Sequence, residues 1–222
     1  MQTRADRDSE RFELVRRTLY TPVLGDVLDP LGRAHQFLPA GIRPLLPTMA
    51  VVGRAMPVLI GDVFGPSGTP FGRLTEAVDS LQPGDVYLAR RGRAECAAWG
   101  EILTAAARAR GAQGAVIDGY HRDTNMVLEQ NFPVFSRGNY GQDSGVRAHV
   151  LDYGVTVEVD GVVVNPRDLV VGDRDGVLVV PADLEDEVIE RALTKASAEN
   201  VVRQAIETGM STTEAFATYG VL

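Results

Sequence analysis

Two short stretches hold the groups that could do chemistry on a small acid. They are Gly100-Glu101-Ile102-Leu103 and Asp118-Gly119-Tyr120-His121-Arg122-Asp123, with twenty residues between Glu101 and Arg122. The first opens an apolar-periodic run that reaches Arg110 and is stopped by Gly111, so it reads as the start of a helix. The free amides and positive dipole end of a helix start receive carboxylates. In the second stretch Arg122 can hold a carboxylate or a developing enolate through two parallel hydrogen bonds. Beside it, Asp123 offers the hard oxygen that magnesium or manganese prefers, and one carboxylate suits a magnesium ion that keeps its waters. Such an ion would do Lewis-acid work. The three histidines, His35, His121 and His149, and the single cysteine, Cys96, show no zinc spacing.

Each of these residues has a plainer reading. Taken alone, an Arg-Asp pair after a strand is more often a surface ion pair than a site. His121 and Tyr120 are more often packing or solvent residues than bases. Cys96 reads as inert packing, and Asp173 with Asp175 as turn chemistry rather than a ligand pair. The glycine-rich run Gly61 to Gly72 lacks the Lys-Ser/Thr ending of a phosphate loop, which leaves nucleotide binding unsupported.

The elements that must position the two stretches follow from periodicity. Strand Val86 to Ala89, helix Glu101 to Arg110 and strand Ala115 to Ile117 form a strand–helix–strand crossover, which is parallel and right-handed within one sheet. The helix start and the exit of the second strand then share the sheet edge where ligands of open α/β sheets bind. Upstream, Asp6 to Tyr20 reads as an amphipathic helix, and Thr21-Pro22 as the N-cap and first helical position of a second helix to about Leu31. Gln36 to Pro47 is a connector into the β-rich stretch Ala50 to Ile60, Gly61 to Gly72 a mobile loop, and Leu74 to Leu81 a short helix. Downstream come a short helix over Thr124 to Gln130, strand Val134 to Ser136, and a hairpin over Val155 to Val164 split by Asp160-Gly161. Strands Leu169 to Val171 and Val177 to Val180 then precede a long helix, Ala182 to Glu207, and Ser211 caps a last one.

With 222 residues, 45% of them apolar and 23% charged, the chain fits one soluble α/β domain, Thr21 to Leu222, behind a helical extension over residues 1–20. A net charge of −8 with no basic run interleaved with aromatics excludes nucleic acid as a partner. No apolar run approaches the length of a membrane span, Met1 to Arg17 lacks the apolar core of a signal peptide, and one cysteine makes no internal disulfide; a cytoplasmic protein is expected. Amine catalysis has one candidate, because Lys195 is the only lysine among 22 basic residues, and it sits on a helix that reads as solvated.

The spacing of Glu101 and Arg122-Asp123 within these two stretches resembles the RraA-like family, and within it the class II 4-hydroxy-4-methyl-2-oxoglutarate aldolases. Further matches are Asp26-Val27-Leu28-Asp29, Pro83-Gly84-Asp85-Val86, Phe132-Pro133-Val134-Phe135-Ser136-Arg137-Gly138, and Asn165-Pro166-Arg167-Asp168-Leu169 leading to Asp175-Gly176-Val177. The resemblance implies a three-layer β/β/α fold like the swivelling phosphohistidine domain, assembled as a trimer or hexamer with sites near subunit interfaces. It also implies that Gly100, Glu101, Ile102 and Leu103 bind a pyruvyl carboxylate through backbone amides, and that Arg122 holds the substrate and its enolate oxygen. Asp123 would ligate the metal, magnesium first, with manganese or cobalt as alternatives. Glu101 would orient waters or shuttle a proton, standing where aspartate is common. The implied activity is retro-aldol cleavage of a small 2-oxo acid to pyruvate, with oxaloacetate decarboxylation through the same enolate. Tyr120-His121 replaces the smaller pair usual before Arg-Asp, which would reshape the pocket. Part of the family instead regulates ribonuclease E by protein contact, typically without the metal-binding aspartate. A quinone methyltransferase, a name also used in this family, lacks here the glycine-rich loop after the first strand.

Overall fold

The computed structural model describes residues 4–65 and 68–221; Pro66 and Ser67, inside the loop expected over Gly61 to Gly72, lie outside the described residues. The chain runs α1 (Arg4–Thr18), α2 (Thr21–Leu28), β1 (Arg43–Pro44), β2 (Val51–Asp62), α3 (Leu74–Asp79), β3 (Asp85–Arg90), β4 (Ala97–Trp99), α4 (Glu101–Ala109), β5 (Gly114–Asp118) and β6 (Tyr120–His121). It continues through α5 (Thr124–Glu129), β7 (Val134–Ser136), β8 (Ala148–Tyr153), β9 (Val157–Val159), β10 (Val162–Val164), β11 (Leu169–Asp173), β12 (Gly176–Val180), α6 (Glu185–Glu207) and α7 (Thr212–Tyr219).

The organising element is β2, twelve residues long and buried along its first eight, as befits a strand covered on both faces. One edge pairs in parallel with β3. The other is shared: β11 pairs antiparallel with Val51–Arg54 and β8 with Val58–Asp62. The main sheet runs β1-β7-β5-β3-β2-β11-β12. Its two ends are brought together by the segment 36–44, which bonds to β12 through the Leu38 amide on the Val177 carbonyl and the Val179 amide on the Gln36 carbonyl, then pairs with β7 as β1. The result is a mixed α/β fold whose sheet curls into a nearly closed barrel.

Side chains alternate between the two faces of each strand, which separates three apolar clusters. Val51, Val86, Leu88, Val116 and Val170 point into the barrel, where the β9–β10 hairpin adds Val157, Val159, Val162 and Val164. Val52, Leu169 and Val171 face α1, α2 and α6. Tyr87, Ala89, Ala115 and Ile117 face α3, α4 and α5. Helix α1 is fastened as well by charge: Arg54 pairs with Asp8 and Glu185, and Arg167 reaches Asp8 at 3.0 Å and Asp85 at 2.9 Å.

The expected crossover is present, since β3 and β5 run parallel with α4 between them. The β9–β10 turn has Asp160 and Gly161 both at positive φ, 51° and 87°, as the Asp-Gly signal requires. Two expectations fail. Thr21 does not cap α2; it is the first helical residue, and Asp173 of β11 accepts both its amide and its hydroxyl at 2.7 Å. The long helix starts at Glu185, because the Leu184 amide closes a turn onto Pro181 and the Ala182 amide goes to Asp168. Strands β1, β4 and β6 are too short to show a period, and β8, in which Ala148-His149-Val150 are buried in succession, does not alternate. Among the described residues, no helix is long and apolar enough to cross a membrane.

Candidate functional site

Two short parallel strands bring the two stretches together: β4 delivers Gly100 and α4, β6 delivers Arg122 and Asp123, and the strands pair at Ala97↔Tyr120 and Trp99↔His121. The Arg122 amide continues the ladder onto the Trp99 carbonyl at 3.0 Å. Trp99, 2% exposed, stacks on Phe132 and meets Tyr87 at a tilt of 45°, and its indole donates to the Thr104 hydroxyl at 2.9 Å. That hydroxyl donates in turn to the Gly100 carbonyl at 2.9 Å, so the first turn of α4 is held by a buried chain of hydrogen bonds. The first helical bond runs from the Thr104 amide to Gly100, leaving the amides of Ile102 and Leu103 without an intrahelical acceptor.

Asp123 sits at the start of α5 in the left-handed region, φ 57° and ψ 35°, a conformation that aspartate and asparagine tolerate better than most residues. Its Oδ2 lies 3.4 Å from the Glu101 amide and 3.7 Å from Arg122 Nε. Both contacts are long, which leaves the carboxylate lone pairs available to a ligand. A Cβ on Gly100 would come within 2.7 Å of that same oxygen, so glycine is what lets the carboxylate approach the helix start. Arg122 Nη1 stands 3.2 Å from Asp143 Oδ1, while Asp143 Oδ2 accepts the Gly145 amide at 2.9 Å.

All six residues singled out from the sequence, Gly100, Glu101, Ile102, Leu103, Arg122 and Asp123, line one cavity of about 250 Å³. Phe71 from the preceding loop and Leu74 and Thr75 from the start of α3 line it as well, with Asp143 and Ser144. Asp143 escapes sequence reasoning: Gln142-Asp143-Ser144-Gly145 looks like an ordinary turn, and only the bridge between Ala97 and Asp143 carries it to the cavity. Among the described residues no three His, Cys, Asp or Glu side chains are placed to hold a metal together. Asp123 by itself offers one carboxylate, the kind of ligand that a magnesium ion keeping several waters takes.

His121 does not join this cavity. It is 4% exposed, its Nδ1 meets Ser136 Oγ at 2.8 Å and its Nε2 meets Thr124 Oγ1 at 3.1 Å, and it faces a neighbouring cavity with both. Burial pushes its pKa below the ordinary 6.5. Burial likewise raises the Cys96 thiol, in keeping with packing. Burial would lower Lys195, but its bonds to Glu199 at 3.2 Å and Asp26 at 3.3 Å prevail and raise it, which keeps the amine protonated and unsuited to Schiff-base chemistry.

Residues 21–179 match the family described as RraA-like (Aldolase/RraA). A protein of Halalkalibacterium halodurans that carries the provisional name 4-hydroxy-4-methyl-2-oxoglutarate aldolase is 31% identical over 90% of each chain. Protein DlpA of Legionella pneumophila is 28% identical over 86% of this chain, which spans only 31% of DlpA. An uncharacterized protein from Pseudomonas syringae superposes with a TM-score of 0.84 at 33% identity, covering 95% of this chain and 94% of that one. Streptomyces coelicolor RraAS2, described as an unusual member of the RNase ES inhibitor RraA protein family, superposes with a TM-score of 0.79 at 27% identity, covering 88% and 97%.

Proposed function

This chain belongs to the RraA-like family, and on that premise we propose that it is a lyase that breaks a carbon–carbon bond of a 2-oxo acid and releases pyruvate. The observation that carries the reading is the convergence, on one cavity of small-molecule size, of the α4 amides, the Arg122 guanidinium and an open Asp123 carboxylate. The Ile102 and Leu103 amides bind the substrate carboxylate. Arg122 holds the keto oxygen, whose charge grows as the enolate forms; a preorganised donor at such an oxygen commonly contributes roughly 3–4 kcal/mol. Glu101 takes the proton of the C4 hydroxyl, the C3–C4 bond breaks, C4 leaves as a carbonyl, and the proton returns to C3 to give pyruvate. Loss of carbon dioxide from oxaloacetate yields the same enolate, so one site serves both reactions. Asp123 would hold a divalent cation, magnesium before manganese or cobalt, which when bound supplies Lewis-acid polarisation of the carboxylate and keto oxygens.

The same reading carries the three-layer, phosphohistidine-domain-like description of the fold, a cytoplasmic setting and a trimer or hexamer. Its test is pyruvate release from 4-hydroxy-4-methyl-2-oxoglutarate and oxaloacetate, with magnesium and with chelator, in the native protein and in Arg122→Ala. Metal-dependent release that the substitution reduces at least a hundredfold supports it; release indifferent to Arg122 sinks it. A second reading, a protein-binding regulator of ribonuclease activity, is favoured by the likeness to RraAS2. Absence of turnover together with inhibition of a ribonuclease would move that reading to the front.

A further inference from the structure

Arg122 can stabilise a developing enolate only if its guanidinium is held in one place. Its side chain is 40% exposed, and an arginine open to water to that degree has many rotamers to choose from unless a partner restricts it. Two carboxylates bracket it: Asp123 Oδ2 lies 3.7 Å from Nε, and Asp143 Oδ1 lies 3.2 Å from Nη1. The second is the closer ion pair. It also comes from a separate part of the chain, so it ties the guanidinium to a different segment from the one that carries it.

That segment is itself fixed to the two strands that build the site. The Gly138 carbonyl accepts the His121 amide at 3.0 Å, and the Tyr140 amide donates to the His121 carbonyl at 2.8 Å. Further along, the Gln142 carbonyl accepts the Ala97 amide at 2.7 Å. Residues 138–143 therefore run first beside β6, through the bridge of Asn139 to His121, and then beside β4, through the bridge of Asp143 to Ala97. Arg147 Nη1 donates to the Asp143 carbonyl at 3.0 Å, and Asp143 Oδ2 accepts the Gly145 amide at 2.9 Å. A Cβ on Gly145 would come within 2.8 Å of that same oxygen and 3.1 Å of the Phe71 ring, so glycine is what lets the loop close beneath the carboxylate. With its backbone and one oxygen secured, Asp143 offers the other oxygen to Arg122 from a fixed position, the kind of support that keeps a charged donor preorganised.

We infer that Asp143 is a positioning residue: it acts on the reaction through Arg122, keeping the guanidinium where charge develops on the keto oxygen. This step rests on the lyase reading. An opposing effect has to be outweighed, because an anion beside the cavity disfavours a second anion forming there. The two effects predict opposite signs. If orientation dominates, removing the Asp143 charge slows the reaction; if the field dominates, removal speeds it.

The test is a double-mutant cycle on the full chain with magnesium, using 4-hydroxy-4-methyl-2-oxoglutarate and oxaloacetate, whose cleavages share one enolate. Asp143→Asn keeps the shape of the side chain and an acceptor for the Gly145 amide. It should lower kcat at least tenfold for both acids while KM stays within threefold, since the lost support matters most for charge present only in the transition state. In the Arg122→Ala background the same substitution should change kcat less than twofold, because the group it orients is gone. Asp143→Ser, at the same half-exposed position, should reproduce both results, and thermal melts confirm that each variant is folded. An unchanged or raised kcat in Asp143→Asn would overturn the inference and leave the lyase reading intact. So would losses that multiply in the double variant, which would mean that Asp143 acts on the substrate independently of Arg122. Turnover of neither acid by the native protein would remove both the inference and the lyase reading.

Discussion

Replacing Asp123 with asparagine or with alanine separates the chemistry of the site from its architecture. Asp123 is 41% exposed on its side chain and its polar contacts among the described residues are long, at 3.4 and 3.7 Å, so asparagine at this position should change stability by no more than about 0.5 kcal/mol. For a chain of this size that moves Tm by roughly 1–2 °C. Alanine must also occupy the left-handed conformation at φ 57°, which costs an ordinary L residue roughly 1–2 kcal/mol, so Tm should fall by about 2–8 °C. Activity should not follow stability. Both substitutions remove the anionic oxygen that would hold the cation, and the expected loss in kcat/KM is a hundredfold or more for each, on the order of 3 kcal/mol of transition-state stabilisation. Pyruvate release is followed with lactate dehydrogenase and NADH, and thermal melts are recorded at increasing magnesium. The native Tm should climb as the ion binds the folded state, and the climb should vanish in Asp123→Asn. Retention of activity within threefold, together with an unchanged magnesium response, would refute the assignment of Asp123.

Thr104→Val keeps the shape of a buried side chain but strands the Trp99 indole N–H; a cost of about 1–3 kcal/mol, or roughly 2–12 °C in Tm, is expected, with a fall in pyruvate release as Gly100 loosens. Glu185→Gln breaks the buried pairing with Arg54 and should destabilise by roughly 3–5 kcal/mol in urea unfolding while leaving kcat per folded molecule unchanged. The hydrogen bond to Glu199, with burial, pushes the Tyr20 phenol up to about 12 from an ordinary 10. Because the folded-state value is the higher one, its stabilisation is complete below pH 10 and is lost as pH rises through 12. Alkaline titration at 295 nm should show a late component near pH 12 that Tyr20→Phe removes, distinct from the buried Tyr87, whose phenol burial pushes higher still.

Local signals in the sequence determined a good deal of this molecule. The 3.6-residue period and glycine stop of α4, the apolar run of β5 and the Arg-Asp pair that follows it were enough to place Gly100 to Leu103 and Arg122-Asp123 at one sheet edge, because a parallel crossover leaves no other arrangement. The Asp160-Gly161 turn was equally legible, since the two-residue hairpin requires positive φ that these residues supply. What only the tertiary structure decided lies in contacts between residues distant along the chain. Asp173 caps α2 from 152 positions away, and Asp143 enters the cavity through a single bridge to Ala97. The ring of His121, adjacent to the pair in sequence, turns to Ser136 and leaves the site. Strands of two or three residues carry no period of their own, and their pairing, like the direction of a side chain leaving them, is set by the packing of the whole sheet.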